Sequence, residues 1–429
     1  MDLRWPASRA DIARIQSERK RLAFERAKRA SFNKGRLDHV DADRLNDPAV
    51  WAKIPLLTKD ELRQVAPKDF ASQFCIQPQA AVVEYWRSGG STGRPLFYPR
   101  SAEDMEHSIL CFRRGLAVTG ATADDLVHVS FPLGIHPVAH LYARAAEQCG
   151  MGTVWCGAGT NTASEMQLQL IDELKPTIWA GMASYGLHLA NLAEAKGFDL
   201  ANSSVKKIIV AAEPLSQAKR AKLERMWGAQ VFDQFGMTEG ALIACEGANR
   251  SGSHLWSDLF YCEVVDEATG EPVKEGEIGT LAMTPLWNNS VTPFLRWNSG
   301  DLISIVQEGG GDGPCGLFPL MRHARRTVGF FKVRGVNINH PELEDLMFFD
   351  PDISEFRAEV YNDDGGLDVL HLSIEVKRGV PVEAASAKII NKVRQTFQVT
   401  PKIVVQPAGT IAREFEANVK AARFVDRRG

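Results

Sequence analysis

Between Leu126 and Phe232 short β-forming runs alternate with helical ones, and this alternation restricts the chain to an α/β fold. Val127, Val129 and Phe131 alternate as a strand does. A helix over 139–149 and a strand at 153–155 are expected next. Helix 163–174, strand 177–180, helix 186–196 with Gly197 as its stop, strand 207–211, helix 216–227 and strand 230–232 follow. Strands separated by helices pair mostly in parallel, because the chain crosses back over the sheet each time. Ligands in such sheets sit at the carboxyl ends of the strands. The stretch Gly157-Ala158-Gly159-Thr160-Asn161-Thr162 imitates a dinucleotide fingerprint, but its last glycine is missing and no acid closes the next strand. Thr162 and Glu165 read instead as a capping box.

Outside this block, residues 11–30 read as a charged helix, and Thr58 with Glu61 marks a capped helix start. Met105, Ile109, Phe112 and Leu116 recur at helical spacing, predicting a helix over 102–117. The stretch 255–306 is mostly β. Beyond it, alternating runs at 357–361 and 369–376 flank Asp364-Gly365 as a hairpin, with a helix around 389–397 and a strand at 403–405. The expected architecture is a large N-terminal domain, residues 1–325, with mainly parallel sheets, helices and a β-rich part. A small C-terminal α+β domain, residues 327–429, follows.

The 429 residues can bury a large core. A net charge of −3 gives no general pull toward nucleic acid or an anionic membrane. Seven cysteines, an odd number at irregular spacing, favour reduced thiols over a disulfide framework. No run reaches the roughly 20 apolar residues of a membrane span. The basic stretch from Met1 to Val40 lacks the apolar centre of a secretory signal. A cytoplasmic location is expected.

The chemistry starts at Glu84–Arg100, EYWRSGGSTGRPLFYPR. Ser88, Gly89, Gly90, Ser91, Thr92 and Gly93 form one turn, whose glycines let backbone N–H groups approach an anion. The hydroxyls add donors and Arg94 adds a fixed charge. The Walker pattern needs Gly-Lys-Ser/Thr, and here Gly93 precedes Arg94 and Pro95. A second run, Asp233-Gln234-Phe235-Gly236-Met237-Thr238-Glu239-Gly240, offers Thr238 to a phosphate oxygen and Glu239 to Mg²⁺. A third, Arg296-Trp297-Asn298-Ser299-Gly300-Asp301, presents a carboxylate on a Gly-Asp turn.

In this order the three runs resemble the motifs of the adenylate-forming ligases. The Thr-Lys-Asp-Glu-Leu start at 58–62, Ala212-Glu213-Pro214 and the Lys-x-x-Arg-x-x-Asp ending at 420–426 are similar to the phenylacetate–CoA ligase branch. The resemblance implies two half-reactions: a carboxylate and ATP give an acyl-adenylate and pyrophosphate, and CoA thiol then displaces AMP. It implies that Ser88–Arg94 grip the phosphates, that Ala212, Glu213, Pro214, Asp233, Gln234 and Phe235 contact the nucleotide, and that Asp301 receives the ribose hydroxyls. Arg326 would lie near ribose and phosphate and at the hinge, and Arg334-Gly335 would face the pantetheine channel. Lys420 would be the catalytic lysine. Gly236 would let the backbone touch a planar ligand, and Ser184 and Tyr185 would line the acyl pocket. His136 is either a gate of that pocket or a satisfied structural histidine. Relatives with a structural zinc make Cys245, His254 and Cys315 candidate ligands, but a closed site wants four and one is missing.

Three departures stand out: Val328-Gly329 replaces an expected Asp pair, Ala412 a proline and Val419 a glycine. They keep two alternatives open. One is an adenylating enzyme serving an amine or a carrier protein, and the other is a non-catalytic nucleotide-binding relative. The leading expectation is an aromatic acid–CoA ligase using ATP, Mg²⁺ and CoA, with a homodimer as a family-level expectation.

Overall fold

Ser8 accepts a hydrogen bond from the Asp11 amide and starts the helix Arg9–Arg29. The last turn of this helix carries Arg26, Lys28 and Arg29 against the negative end of its dipole. The computed structural model describes residues 2–88, 95–248, 250, 252–306, 313–326, 330–363, 365–417 and 423–428. Residue contacts divide the chain into two units. The first comprises 1–125, 133–153 and 232–327, and the second 126–132, 154–231 and 328–429.

In the first unit, Phe24, Trp51, Ile54 and Leu295 centre an apolar cluster. The expected capping box at Thr58 forms, with Glu61 returning a bond to the Thr58 amide. Strands Glu84–Arg87 and Phe97–Arg100 pair antiparallel, and the helix Ala102–Val118 follows, capped by Ser101 and Asp104. The β-rich part is antiparallel throughout. It runs Phe260–Val265, Gly279–Pro285, Trp297–Val306, Leu320–Arg326, Ser253–Leu255, Ala241–Glu246, and then the portion of Gln230–Met237 from Phe232 onward. Arg296 is a buried strut in this sheet: its guanidinium meets Glu263 at 3.1 Å and the carbonyls of Ala52, Ile54 and Gly270 at 2.8, 2.6 and 2.7 Å. It fixes the start of the strand that carries Asp301.

The second unit holds the parallel strands Leu126–Val129, Ile178–Gly181 and Lys207–Val210. The helices Ser164–Leu174, Ala183–Lys196 and Gln217–Trp227 accompany them. Gly197, in the left-handed region, ends the second of these helices. A four-stranded sheet follows, in the order Lys402–Gln406, Asp368–Val376, Ile353–Asn362, Phe424–Asp426, antiparallel at its centre and parallel at both edges. Trp179, Leu187 and Trp227 share one apolar core with Phe331, Phe348, Phe356, Ile374 and Val393. Thus the C-terminal residues pack with the helices of 164–227.

Two local expectations fail. Thr162 does not cap the helix at 164: the N-cap is Ala163, without a side-chain bond. The carbonyl of Thr162 is used instead, by Gln167 at 3.1 Å. The strand expected to stop at 232 continues to Met237: the Asp233 amide bonds Glu246 on the neighbouring strand, and the Gln234 side chain is satisfied by Gly115 and Tyr142 on helices packed against the sheet.

Candidate active site

The ends of the glycine-rich loop are clamped. The Ser88 amide donates to the Leu96 carbonyl at 2.9 Å, and the Leu96 amide donates to Ser88 Oγ at 2.9 Å. Gly89, Gly90, Ser91, Thr92, Gly93 and Arg94 lie outside the described residues. Beneath the clamp, Trp86 and Tyr98 are directly paired across the strands, and both are buried.

Strand alternation places Tyr98 and Arg100 on one face, and both reach the Thr238-Glu239 segment. The Tyr98 hydroxyl donates to Glu239 Oε1 at 2.9 Å. Burial, then the neighbouring carboxylate, pushes the Tyr98 phenol well above its ordinary range, so it stays a donor. Arg100 is fully buried and donates to the carbonyls of Thr238 and Glu239 at 2.7 and 2.9 Å. It also donates to Asn288 O at 3.0 Å. A further bond reaches Thr292 Oγ1 at 3.2 Å. Its guanidinium lies over the Trp86 ring, 4.6 Å from the centroid, a cation–π contact. Sequence alone singles out neither Tyr98 nor Arg100. Their period-two spacing after the loop is the available signal.

Thr238, Glu239 and Gly240 form the turn joining Gln230–Met237 to Ala241–Glu246, and Ala241 adopts φ +74°. Among the described residues, Tyr98 is the donor to the buried Glu239 carboxylate, and the second oxygen remains for a ligand. One such carboxylate fits Mg²⁺, which is normally held by one or two carboxylates together with substrate phosphates. A side chain at Gly236 would place its Cβ 2.4 Å from the Ala241 carbonyl, so glycine is required there by the hairpin itself. Gln234 points into the core: its amide donates to Gly115 O at 2.7 Å and accepts from Tyr142 at 2.6 Å. Phe235 is half-buried, and the Asp233 amide bonds Glu246 at 3.0 Å. Asp301 pairs with Arg326 across adjacent strands, which brings two sequence candidates together.

His136 precedes the helix Pro137–Gln148 and lines an open cavity of about 230 Å³ with Tyr85, Trp86, Ile135, His140 and Arg144. The Arg87 amide donates to Ile135 O at 3.2 Å, tying the strand Glu84–Arg87 to this segment. Cys245 and His254 are register partners on neighbouring strands. Yet among the described residues no group of three or more His, Cys, Asp and Glu is placed to hold a metal ion.

In the second unit, Ser184 Oγ donates to Glu213 Oε2 at 2.9 Å, and the Ser184 amide bonds the other carboxylate oxygen. Glu213 thus joins the ends of two parallel strands by satisfying the first turn of the helix after one of them. Ala212, just before it, is exposed at φ +71°, a strained backbone for a residue with a Cβ. Pro214 is also exposed. Tyr185 is buried, its hydroxyl 3.0 Å from Ser164 Oγ. Arg334 and Gly335, both at positive φ, form the two-residue turn between Phe330–Val333 and Val336–Asn339. Asp368 braces that turn, accepting the Arg334 amide at 3.0 Å. Lys420 lies outside the described residues, as do Val328 and Gly329.

Residues 21–284 match the family model for AMP-binding enzymes. The chain belongs to this family, and it falls in the phenylacetate–CoA ligase-like branch of the adenylate-forming superfamily. It is 28% identical to the phenylacetate-coenzyme A ligase of Aromatoleum evansii, over 98% of this chain and 96% of the relative. It is 27% identical to that of Thermus thermophilus, over 94% of each. Among solved structures, 2-hydroxyisobutyryl-CoA ligase in the postadenylation state superimposes with a TM-score of 0.85 at 22% identity, covering 99% of this chain and 91% of that one.

Proposed function

We propose that the chain is an ATP-dependent ligase that joins an aromatic carboxylic acid to CoA through an acyl-adenylate, releasing AMP and pyrophosphate. The observation that carries the reading is the contact of Tyr98 with Glu239, braced by Arg100. It fixes a buried carboxylate against the strand that leaves the phosphate loop. The relatives named phenylacetate-coenzyme A ligase support the choice of an aromatic acid and of CoA.

The chemistry asks for charge neutralisation rather than a base. A carboxylate is already ionised near neutral pH, and it must attack the α-phosphate of a polyanion. Mg²⁺ held by Glu239 would supply positive charge when bound. In this reading Ser88 to Arg94 hold the phosphates, and Thr238 donates to a phosphate oxygen. Ala212–Pro214, Asp233, Gln234 and Phe235 contact the nucleotide, through backbone in the case of the buried Gln234. Asp301 and Arg326 hold ribose, and Lys420 completes the neutralisation. His136, Ser184, Tyr185 and Gly236 belong to the acid pocket. The residues 1–325 and 327–429 act as two functional domains, with Arg334-Gly335 facing CoA after rotation about Arg326–Val328. A cytoplasmic location belongs to the same reading.

The test is pyrophosphate release with a panel of aromatic acids, with and without CoA, followed by mass spectrometry of the products. Acid-dependent release together with a CoA thioester is expected. Release without thioester would point to an amine or carrier acceptor. Retained ATP binding with no release across the panel would refute catalysis.

A further inference from the structure

One side-chain amide ties together three segments at the carboxyl ends of the parallel strands. Gln167 is fully buried. Its Oε1 accepts from Ser130 Oγ at 2.7 Å and lies 3.1 Å from His128 Nε2. Its Nε2, with two hydrogens to give, faces three acceptors: the carbonyls of Gly157 at 2.8 Å and Thr162 at 3.1 Å, and the Tyr185 hydroxyl oxygen at 2.9 Å. The partners fix the orientation of the amide. Two backbone carbonyls can only accept, so the nitrogen must face them, and the oxygen then faces Ser130 and His128. His128 is therefore an Nε2–H donor. Its Nδ1, left as an acceptor, sits 4.0 Å from Cys156 Sγ. Burial holds His128 neutral, with its pKa lowered to about 4.

The three segments have defined places. Ser130 follows the strand Leu126–Val129, and its amide bonds Ala180 O at 2.7 Å. Cys156 and Gly157 both donate to Val129 O, at 3.1 and 3.0 Å, so the 157–162 loop starts at that strand end. Tyr185 stands in the first turn of the helix after Ile178–Gly181, next to Ser184 and its partner Glu213. Gly157 adopts φ +72°, and a Cβ there would lie 2.6 Å from the Asn161 side chain, so the loop is tightly wound over the amide.

We propose that Gln167 is a positioning residue that sets the shape of the acid pocket, with the 157–162 loop as one wall of it. This rests on the reading above that Ser184, Tyr185 and their neighbours receive the acid. Neither a carboxylate nor an apolar side chain can replace Gln167. Glutamate would turn an acceptor toward two carbonyls, and leucine would strand two donors and two carbonyls.

The test compares wild type with Gln167→Leu in steady-state kinetics, using the best acid of the panel. KM for the acid is expected to rise about tenfold or more, the energetic equivalent of one lost buried hydrogen-bond set, while KM for ATP stays within about twofold. Discrimination between ring-substituted acids should flatten. Amide hydrogen exchange over 157–162 should speed up. If the leucine variant fails to fold, Tyr185→Phe and Ser130→Ala remove single contacts and should shift KM for the acid in the same direction. Unchanged KM for the acid, or equal shifts for acid and ATP, would overturn the proposal. A wild-type chain that turns over no acid would overturn the enzymatic reading and the pocket with it. Faster exchange in that case would still report the hold of Gln167 on the loop.

Discussion

Two buried carboxylate clusters, one in each unit, differ in what surrounds them. Glu239 in the first unit meets a neutral donor, Tyr98, while the adjacent Arg100 spends its bonds on backbone carbonyls and the Thr292 hydroxyl. In the second unit, Glu344 pairs with Lys219 at 2.8 Å and with Arg423 at 3.4 Å, and Arg423 also pairs with the fully buried Glu355. There every carboxylate has a cationic partner. Burial still holds the Glu344 carboxyl above its ordinary range, despite the pull of Lys219 and Arg423. The comparison teaches how to read a buried acid. One closed by cations fixes the packing of its neighbours, and one held by a single neutral donor keeps capacity for a cation.

The largest expected effect tests the closed cluster. Arg423→Met leaves Glu355 and Glu344 buried with fewer cations, and should lower unfolding stability by about 3–5 kcal/mol in urea titrations. A loss under about 1 kcal/mol would mean that the cluster is better solvated than its burial implies. The same cluster bears on domain motion. Lys219 bonds Glu344, and Lys222 bonds the carbonyls of Ile353 and Ser354 at 2.9 and 3.0 Å, so the rotation proposed for 327–429 would have to break these contacts.

Acid gives a smaller, graded effect, to which two histidines of the second unit contribute. His128 and His340 both have pKa values lowered to about 4 by burial. A base with a depressed folded pKa contributes stability above its unfolded value near 6.5. That stability is lost as pH falls from about 6.5 toward 4, because the unfolded chain takes up the proton first. For the fully buried His128 the loss is on the order of 3 kcal/mol at the lower limit. Urea midpoints measured from about pH 7 down to about pH 4.5 should fall steadily. His128→Gln, which keeps a donor toward Gln167, should flatten that slope.

Local rules made much of this molecule legible. The parallel block was readable because a helix stops at Gly197 and its strands are short apolar runs; Gly228 ends a further helix in the same way. The Thr58 capping box is a purely local signal, complete between Thr58 and Glu61. Long-range partners were not legible. That the Gln234 side chain turns to Gly115 and Tyr142 could not be read, because a polar residue in a motif looks the same whichever way its side chain faces. Gln167 gave no sign of its role, since its partners include His128, Ser130, Gly157 and Tyr185, up to 39 positions away. Nor could periodicity show that Phe356 and Ile374 share a core with Trp179 and Trp227.

The open carboxylate is the central claim, and Glu239→Gln tests it most directly, because the amide keeps the Tyr98 bond and the shape while removing the charge. ATP–pyrophosphate exchange with an accepted acid should fall on the order of 10²–10³-fold, with the urea midpoint unchanged. Exchange retained at the wild-type rate in a folded variant would show that Glu239 holds no cation and that the phosphate site lies elsewhere.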